Sequence, residues 1–178
     1  EDRIAEFIGR NTRDADDVVG VDAALDFPLF FKLPSCAKGF APPTDVIGVY
    51  QRRKQVEREV LSSHGEAGRY FVTFLDNHDM NERFRASATD GPDPFDPQLI
   101  LAVALLFGLQ GIPCLYYGTE LGLHGRGNSD QFVREALWGR PGGFDSNHPL
   151  YIAIRRLSDV RSSQPALRYG RLYFRPIS

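Results

Sequence analysis

Two carboxylates and an imidazole stand together at Asp76-Asn77-His78-Asp79, directly after the apolar, aromatic run Arg69–Leu75. Such side chains are the common carriers of acid–base chemistry, and here they mark where a buried strand must surface. Other chemistries find less support. His64, His78, His124 and His148 form no H-x-H or H-x-x-x-H pair, so the spacing of a metal site is missing. There is no G-x-S-x-G nucleophile elbow, no G-x-G-x-x-G or Walker pattern for phosphate, and no acidic loop of EF-hand type. Taken alone, Asp79 reads as a turn cap and His78 as a surface histidine.

The elements that must position these groups follow from the apolar pattern. Val21–Phe31 reads as a strand running into a break at Pro28, where the backbone donor is lost. Thr44 is placed to cap a helix from Asp45 to about Ser63, with Val46, Val49 and Tyr50 opposite Arg52, Arg53 and Lys54. Arg69–Leu75 is a second, buried strand. Asp96-Pro97 supplies an N-cap and a first-turn proline for an apolar helix over Pro97–Leu109. Ile112–Tyr117 is a third strand, Leu150 to about Ser163 a last helix, and Tyr169–Phe174 an extended tail. Alternating apolar strands and helices predict an α/β fold with a parallel sheet covered by helices. The polar residues cluster after the C-terminal ends of the strands, where (β/α)8 barrels place their chemistry. Such barrels need about 250 residues, so the chain is expected to supply about the last three βα units of a TIM barrel.

Composition narrows the class. The 178 residues are 42% hydrophobic, with 13 Phe, 7 Tyr and 1 Trp, enough for a packed core. A formal charge of −2 gives no reason to expect nucleic acid or an anionic membrane as partner. No apolar run reaches the roughly 18 residues needed to span a bilayer. Cys36 and Cys114 are too few for a disulfide framework or a Cys-rich zinc site, and they leave the compartment open. The chain opens at Glu1 without a signal-peptide pattern, and both ends read as cuts through a longer protein.

Two motifs in order carry a family resemblance. Phe74-Leu75-Asp76-Asn77-His78-Asp79 matches F-x-x-N-H-D, and Gly111-Ile112-Pro113-Cys114-Leu115-Tyr116-Tyr117-Gly118-Thr119-Glu120 matches G-x-P-x-x-Y-Y-G-x-E. With them the sequence resembles the α-amylase superfamily of glycoside hydrolases and transglycosidases, on its seventh and eighth barrel strands. Leu25-Asp26-Phe27-Pro28-Leu29 resembles its sixth-strand segment. The resemblance covers nearly the whole chain, residues 1–178 as the C-terminal part of a catalytic barrel. It implies that Asp79 stabilises the transition state through sugar hydroxyls and that His78 donates to a hydroxyl of the same sugar. Asn77 is expected to hold the turn by an Asx-type bond, and Tyr116 and Tyr117 to point to opposite sides of their strand.

Further along, Val133-Arg134-Glu135-Ala136-Leu137-Trp138 keeps the Arg and Trp of a family segment but has Val133 where Asn is usual. Arg134 and Trp138 are substrate or loop contacts on this reading; Trp138 either stacks on a sugar face or packs the loop. The family's nucleophile has no match: Gly9-Arg10-Asn11-Thr12-Arg13-Asp14 is out of register, and Glu1 has no strand before it to make it the general acid. The resemblance therefore implies that the parent protein cleaves or transfers α-glucosidic bonds in oligo- or polysaccharides, and that this piece alone is inert. The rival reading is an inactive amylase-like scaffold that binds carbohydrate. No cofactor is expected in this segment; the family's calcium ligands belong to earlier parts of the barrel and an inserted domain.

Overall fold

A computed structural model describes residues 4, 10–11, 21, 23–56, 60–61, 67–86 and 95–175. Its strands are β1 (Arg10–Asn11), β2 (Ala24–Leu25), β3 (Val60–Leu61), β4 (Phe71–Thr73) and β5 (Ile112–Pro113). The helices are α1 (Phe27–Phe30), α2 (Leu33–Ala37), α3 (Pro43–Val56), α4 (Asp96–Gly108), α5 (Pro149–Ser163) and α6 (Pro165–Tyr169). The expected parallel sheet is present: β2, β4 and β5 pair in chain order, with Leu25 opposite Val72 and Thr73 opposite Pro113. Parallel neighbours need crossovers; α1 to α3 lie in the first and α4 in the second. A separate antiparallel pair joins β1 to β3.

The strands are shorter than the apolar runs. The first run stops at Leu25 because Asp26 turns the chain: its Oδ1 accepts from Leu29 N at 3.1 Å and caps α1. Pro28 then sits in the first helical turn, where a missing N–H costs nothing. Helix α3 starts at Pro43 rather than after Thr44, and it does not reach Ser63, since Val60 and Leu61 pair in β3. Helix α4 is capped at Phe95, leaving Asp96 inside its first turn. The expected extended tail is corrected in part: Pro165–Tyr169 is helical and 171–175 has no regular structure. Leu172 and Phe174 still pack on the core from there.

The core lies among α2, α4 and α5. Leu33, Leu99, Ala102, Val103, Leu106 and Leu150 are all buried. Helix α5 also fastens the far end of α4. Arg161 donates to the carbonyls of Phe107, of Leu109 at 3.2 Å and of Gly111 at 2.6 Å, satisfying acceptors that a helix end leaves orphaned.

Arg53 departs from the expected polar face of α3. Its side chain is 2% exposed, and Nη2 donates to Asp26 Oδ1 at 2.6 Å. The guanidinium lies 3.9 Å from the ring centroid of Phe71 and 5.1 Å from that of Tyr50. Positions 46, 50 and 53 share one face at helical spacing, so Arg53 falls on the buried stripe with Val46 and Tyr50. The pair ties α3 to the start of α1, and the Asp26 N–H extends the sheet pairing to Val72 O at 2.9 Å. Removing one partner of a buried pair strands the other charge, at a cost of about 3–5 kcal/mol. Asp26→Ala or Arg53→Ala should lower the urea unfolding midpoint accordingly, and Asp26→Ala with Arg53→Met should recover part of the loss. Single variants as stable as the parent would contradict this role.

Candidate active site

Beyond β4 the chain stays buried through Phe74, Leu75 and Asp76 before it surfaces. The Asp76 carboxylate accepts from Phe84 N at 2.5 Å and from the Thr119 hydroxyl at 3.3 Å, joining the ends of the second and third apolar runs. Burial pushes its pKa up, against the lowering effect of these bonds and of Arg83. Asn77 Oδ1 then accepts from Asp79 N at 2.7 Å, the expected Asx turn. This turn delivers His78 and Asp79 to the surface, 63% and 69% exposed.

Arg134 completes the cluster. Its Nη2 lies 3.1 Å from Asp79 Oδ1 and also binds Asp130, while Nε donates to the His78 carbonyl at 3.0 Å. His78 Nε2 lies 3.4 Å from Asp79 Oδ2. Of the four expected site residues, His78, Asp79 and Arg134 come together. Trp138 does not join them: it is 88% exposed and, among the described residues, makes no hydrogen bond or ring contact.

Exposed ion pairs are worth about 1 kcal/mol at most, too little to hold Arg134 in place. The loop is fixed from beneath. Arg83 is fully buried, and its Nε donates to Glu135 Oε2 at 2.6 Å. Its Nη1 donates to Tyr117 O at 2.9 Å and its Nη2 to Val133 O at 3.0 Å. One guanidinium therefore grips the residues on both sides of Arg134, which is left to point outward. Glu135 is gripped in turn, its Oε1 accepting from Gly125 N at 2.9 Å. Tyr116 and Tyr117 do not take opposite sides as expected: their rings meet edge to face at 4.6 Å, both over the Arg83 guanidinium. The chain turns at Gly118 instead of continuing as a strand. Burial, and next the hydrogen bond with Tyr117, push the Tyr116 hydroxyl up to about 12, so it stays neutral beside the cation.

Gly118 serves the same junction. Its φ is +83°, a conformation side chains rarely adopt, and a Cβ there would lie 2.2 Å from Leu123 Cδ1. Arg85 adds a second tie: Nε donates to Asp96 Oδ1 at 2.6 Å and Nη1 to Gly122 O at 2.7 Å. Sequence reasoning missed Arg83, Arg85, Asp130 and Glu135. Arg83 bonds mainly to backbone carbonyls far along the chain, which leave no trace in residue type. Glu120, at the family motif's end, is half-buried in a 3-10 turn. Among the described residues no group of three or more His, Cys, Asp or Glu is gathered for a metal. His64 and the residues around Glu1 lie outside the described residues.

No protein-family model matches the chain. Individual relatives do. A cyclomaltodextrin glucanotransferase of Paenibacillus macerans is 37% identical over 114 residues, 62% of this chain and 14% of the relative. A beta/alpha-amylase of Paenibacillus polymyxa is 33% identical over 154 residues, 84% of this chain and 11% of the relative. Among solved structures, a cyclomaltodextrin glucanotransferase of three domains matches with a TM-score of 0.64 at 28% identity, over 88% of this chain and 28% of that one. An α-amylase from Malbranchea cinnamomea matches with a TM-score of 0.61, also at 28% identity, over 80% of this chain and 27% of that one. Over the part these relatives match, the chain belongs to the α-amylase superfamily. It spans only 11–14% of the length of these two curated relatives.

Replacing Arg83 by Met leaves Glu135 and two carbonyls without their buried donor. The expected cost is about 3 kcal/mol or more in unfolding free energy, with faster amide exchange across 125–135. Arg134→Ala, at a half-exposed side chain, should change stability by about 0.5 kcal/mol or less. Equal effects of the two substitutions would contradict the division of roles.

Proposed function

We propose that residues 1–178 are the C-terminal portion of an α-amylase-like (β/α)8 catalytic domain, supplying about its last three βα units. The full-length protein is then a retaining glycosidase or transglycosidase acting on α-glucosidic bonds in oligo- or polysaccharides. The observation that carries this reading is the Asp79 carboxylate, 69% exposed past the C-terminal end of β4 with Arg134 hydrogen-bonded to it. Support also comes from three parallel strands paired in chain order and from relatives named as amylases and glucanotransferases.

Retaining cleavage passes through an oxocarbenium-like transition state, with a nucleophilic carboxylate and an acid about 5–5.5 Å apart. Both of those groups belong to parts of the protein outside this chain. Asp79 supplies a third contribution: it accepts from the sugar hydroxyls, and those bonds tighten as the ring flattens. His78 donates to a hydroxyl of the same sugar. Arg134 orients the Asp79 carboxylate and presents its remaining N–H groups to the substrate. Two carboxylates, Asp79 and Asp130, share this one guanidinium, so these three side chains together carry a net negative charge. That sign favours the positive charge that builds on the sugar. Whether water or a sugar hydroxyl takes the glycosyl group decides between hydrolysis and transfer.

In the full-length protein, Asp79→Asn should lower kcat on an α-glucan by about a thousandfold or more, each tenfold being 1.36 kcal/mol of barrier. KM should change far less, because the contact strengthens only in the transition state. An unchanged kcat rejects the role of Asp79. A full-length protein without any α-glucan turnover supports the inactive scaffold instead.

A further inference from the structure

The motif that surfaces Asp79 ends on that residue, yet its turn is closed by the next one. Met80, the one methionine of the chain, bends its thioether back so that Sδ accepts from the Asn77 N–H at 3.2 Å. Asn77 Oδ1 reaches the other way and accepts from the Asp79 N–H at 2.7 Å. Two side chain-to-backbone bonds thus interlock over residues 77–80. The stretches on either side are fixed independently. Asp76 accepts from Phe84 N and the Thr119 hydroxyl. Downstream, Gly127 N donates to Asn81 O at 2.9 Å and Arg83 N to Gly125 O at 3.0 Å. A Cβ at Gly127 would lie 2.0 Å from Phe132 Cδ2, so this clamp is closely packed. What is left adjustable is the turn between the two anchors.

A thioether is a weak acceptor, and methionine ordinarily serves as an apolar gap filler. Met80 does not serve that way: it is half-buried and, among the described residues, stands outside the apolar core. The Asn77 N–H needs a partner where the chain leaves the buried Asp76, and the sulfur is that partner. We propose that Met80 is a positioning residue, whose sulfur, acting through Asn77, sets the direction in which the Asp79 carboxylate leaves the backbone. This proposal rests on the glycosidase reading above. Arg134 holds the far end of the carboxylate through an exposed pair, too weak to enforce a direction alone. The turn holds its root. A carboxylate whose bonds to the sugar tighten only in the transition state must be aimed beforehand, and a misplacement of about 1 Å costs up to a hundredfold in rate. Loss of the sulfur should therefore reach kcat and largely spare ground-state binding.

The test compares two substitutions in the full-length protein. Leucine and asparagine are nearly isosteric and both put an atom where Sδ stands, but only the asparagine oxygen accepts a hydrogen bond. Met80→Leu should lower kcat on an α-glucan by about tenfold with KM within about twofold, whereas Met80→Asn should keep kcat within about threefold of the parent. Amide exchange across 77–80 should quicken at least about fivefold in Met80→Leu and stay near the parent rate in Met80→Asn. The reverse order, with leucine active and asparagine impaired, marks Met80 as apolar packing and overturns the proposal. Equal activity in all three proteins overturns it too, as does equal loss in both variants. A parent that turns over no α-glucan defeats the glycosidase reading instead. The exchange comparison then still decides whether the sulfur holds the turn, and unchanged exchange in Met80→Leu shows that it does not.

Discussion

A single buried guanidinium organises the surface that the candidate chemistry needs. Arg83 carries a charge in a place without water, a state tolerated only when its donors are satisfied. Glu135, Tyr117 O and Val133 O satisfy them, and the rings of Tyr116 and Tyr117 cover the flat face of the cation. The acceptors come from two stretches, one at Tyr117 and one at Val133 and Glu135, so meeting the needs of one residue ties three segments together, its own included. Arg134 sits between two of those anchors and has one direction left, toward Asp79. The weak exposed pairs at the surface are therefore results of the loop's position rather than its cause.

The same device recurs. Arg53 joins α3 to the turn after β2, Arg85 joins the segment after β4 to α4, and Arg161 joins α5 to the end of α4. Of the 21 basic residues, 18 are arginine. The planar, five-donor guanidinium suits this use because it bonds several acceptors in fixed directions, which a lysine ammonium does not. Strands of two or three residues leave much of the backbone near the sheet without ladder partners. Arginine side chains reach several of those carbonyls, which a buried chain cannot leave unpaired.

Much of the architecture was legible in the residues, and the parts that were not share a cause. Three apolar runs between helical patterns sufficed to predict three parallel strands, because burial on both faces leaves a run without alternation. The turn that surfaces His78 and Asp79 was readable from Asn77, whose side chain bonds within its own turn. Local chemistry leaves local signals. The ends of the strands were misplaced where a polar residue turned the chain early, as Asp26 does after β2. Arg53 was assigned to solvent on residue type, although its helical spacing placed it with Val46 and Tyr50. The link from Arg83 to Val133 spans fifty residues and ends on a carbonyl, a contact with no side-chain signature at its far end. Arg134 showed the reverse: its motif is imperfect at Val133, yet the fold brings it to Asp79, with Val133 buried and its carbonyl held by Arg83.

All of the proposed chemistry depends on what the Asp79 carboxylate touches when substrate is present. Most direct is a crystal structure of the full-length protein with an unreactive maltooligosaccharide analogue bound. Asp79 should accept hydrogen bonds of about 2.5–3.0 Å from hydroxyls of the sugar ring at the reacting position, with Arg134 still bound to its carboxylate. A sugar seated elsewhere, with Asp79 facing only solvent or protein, contradicts the assignment of this cluster as an active-site component.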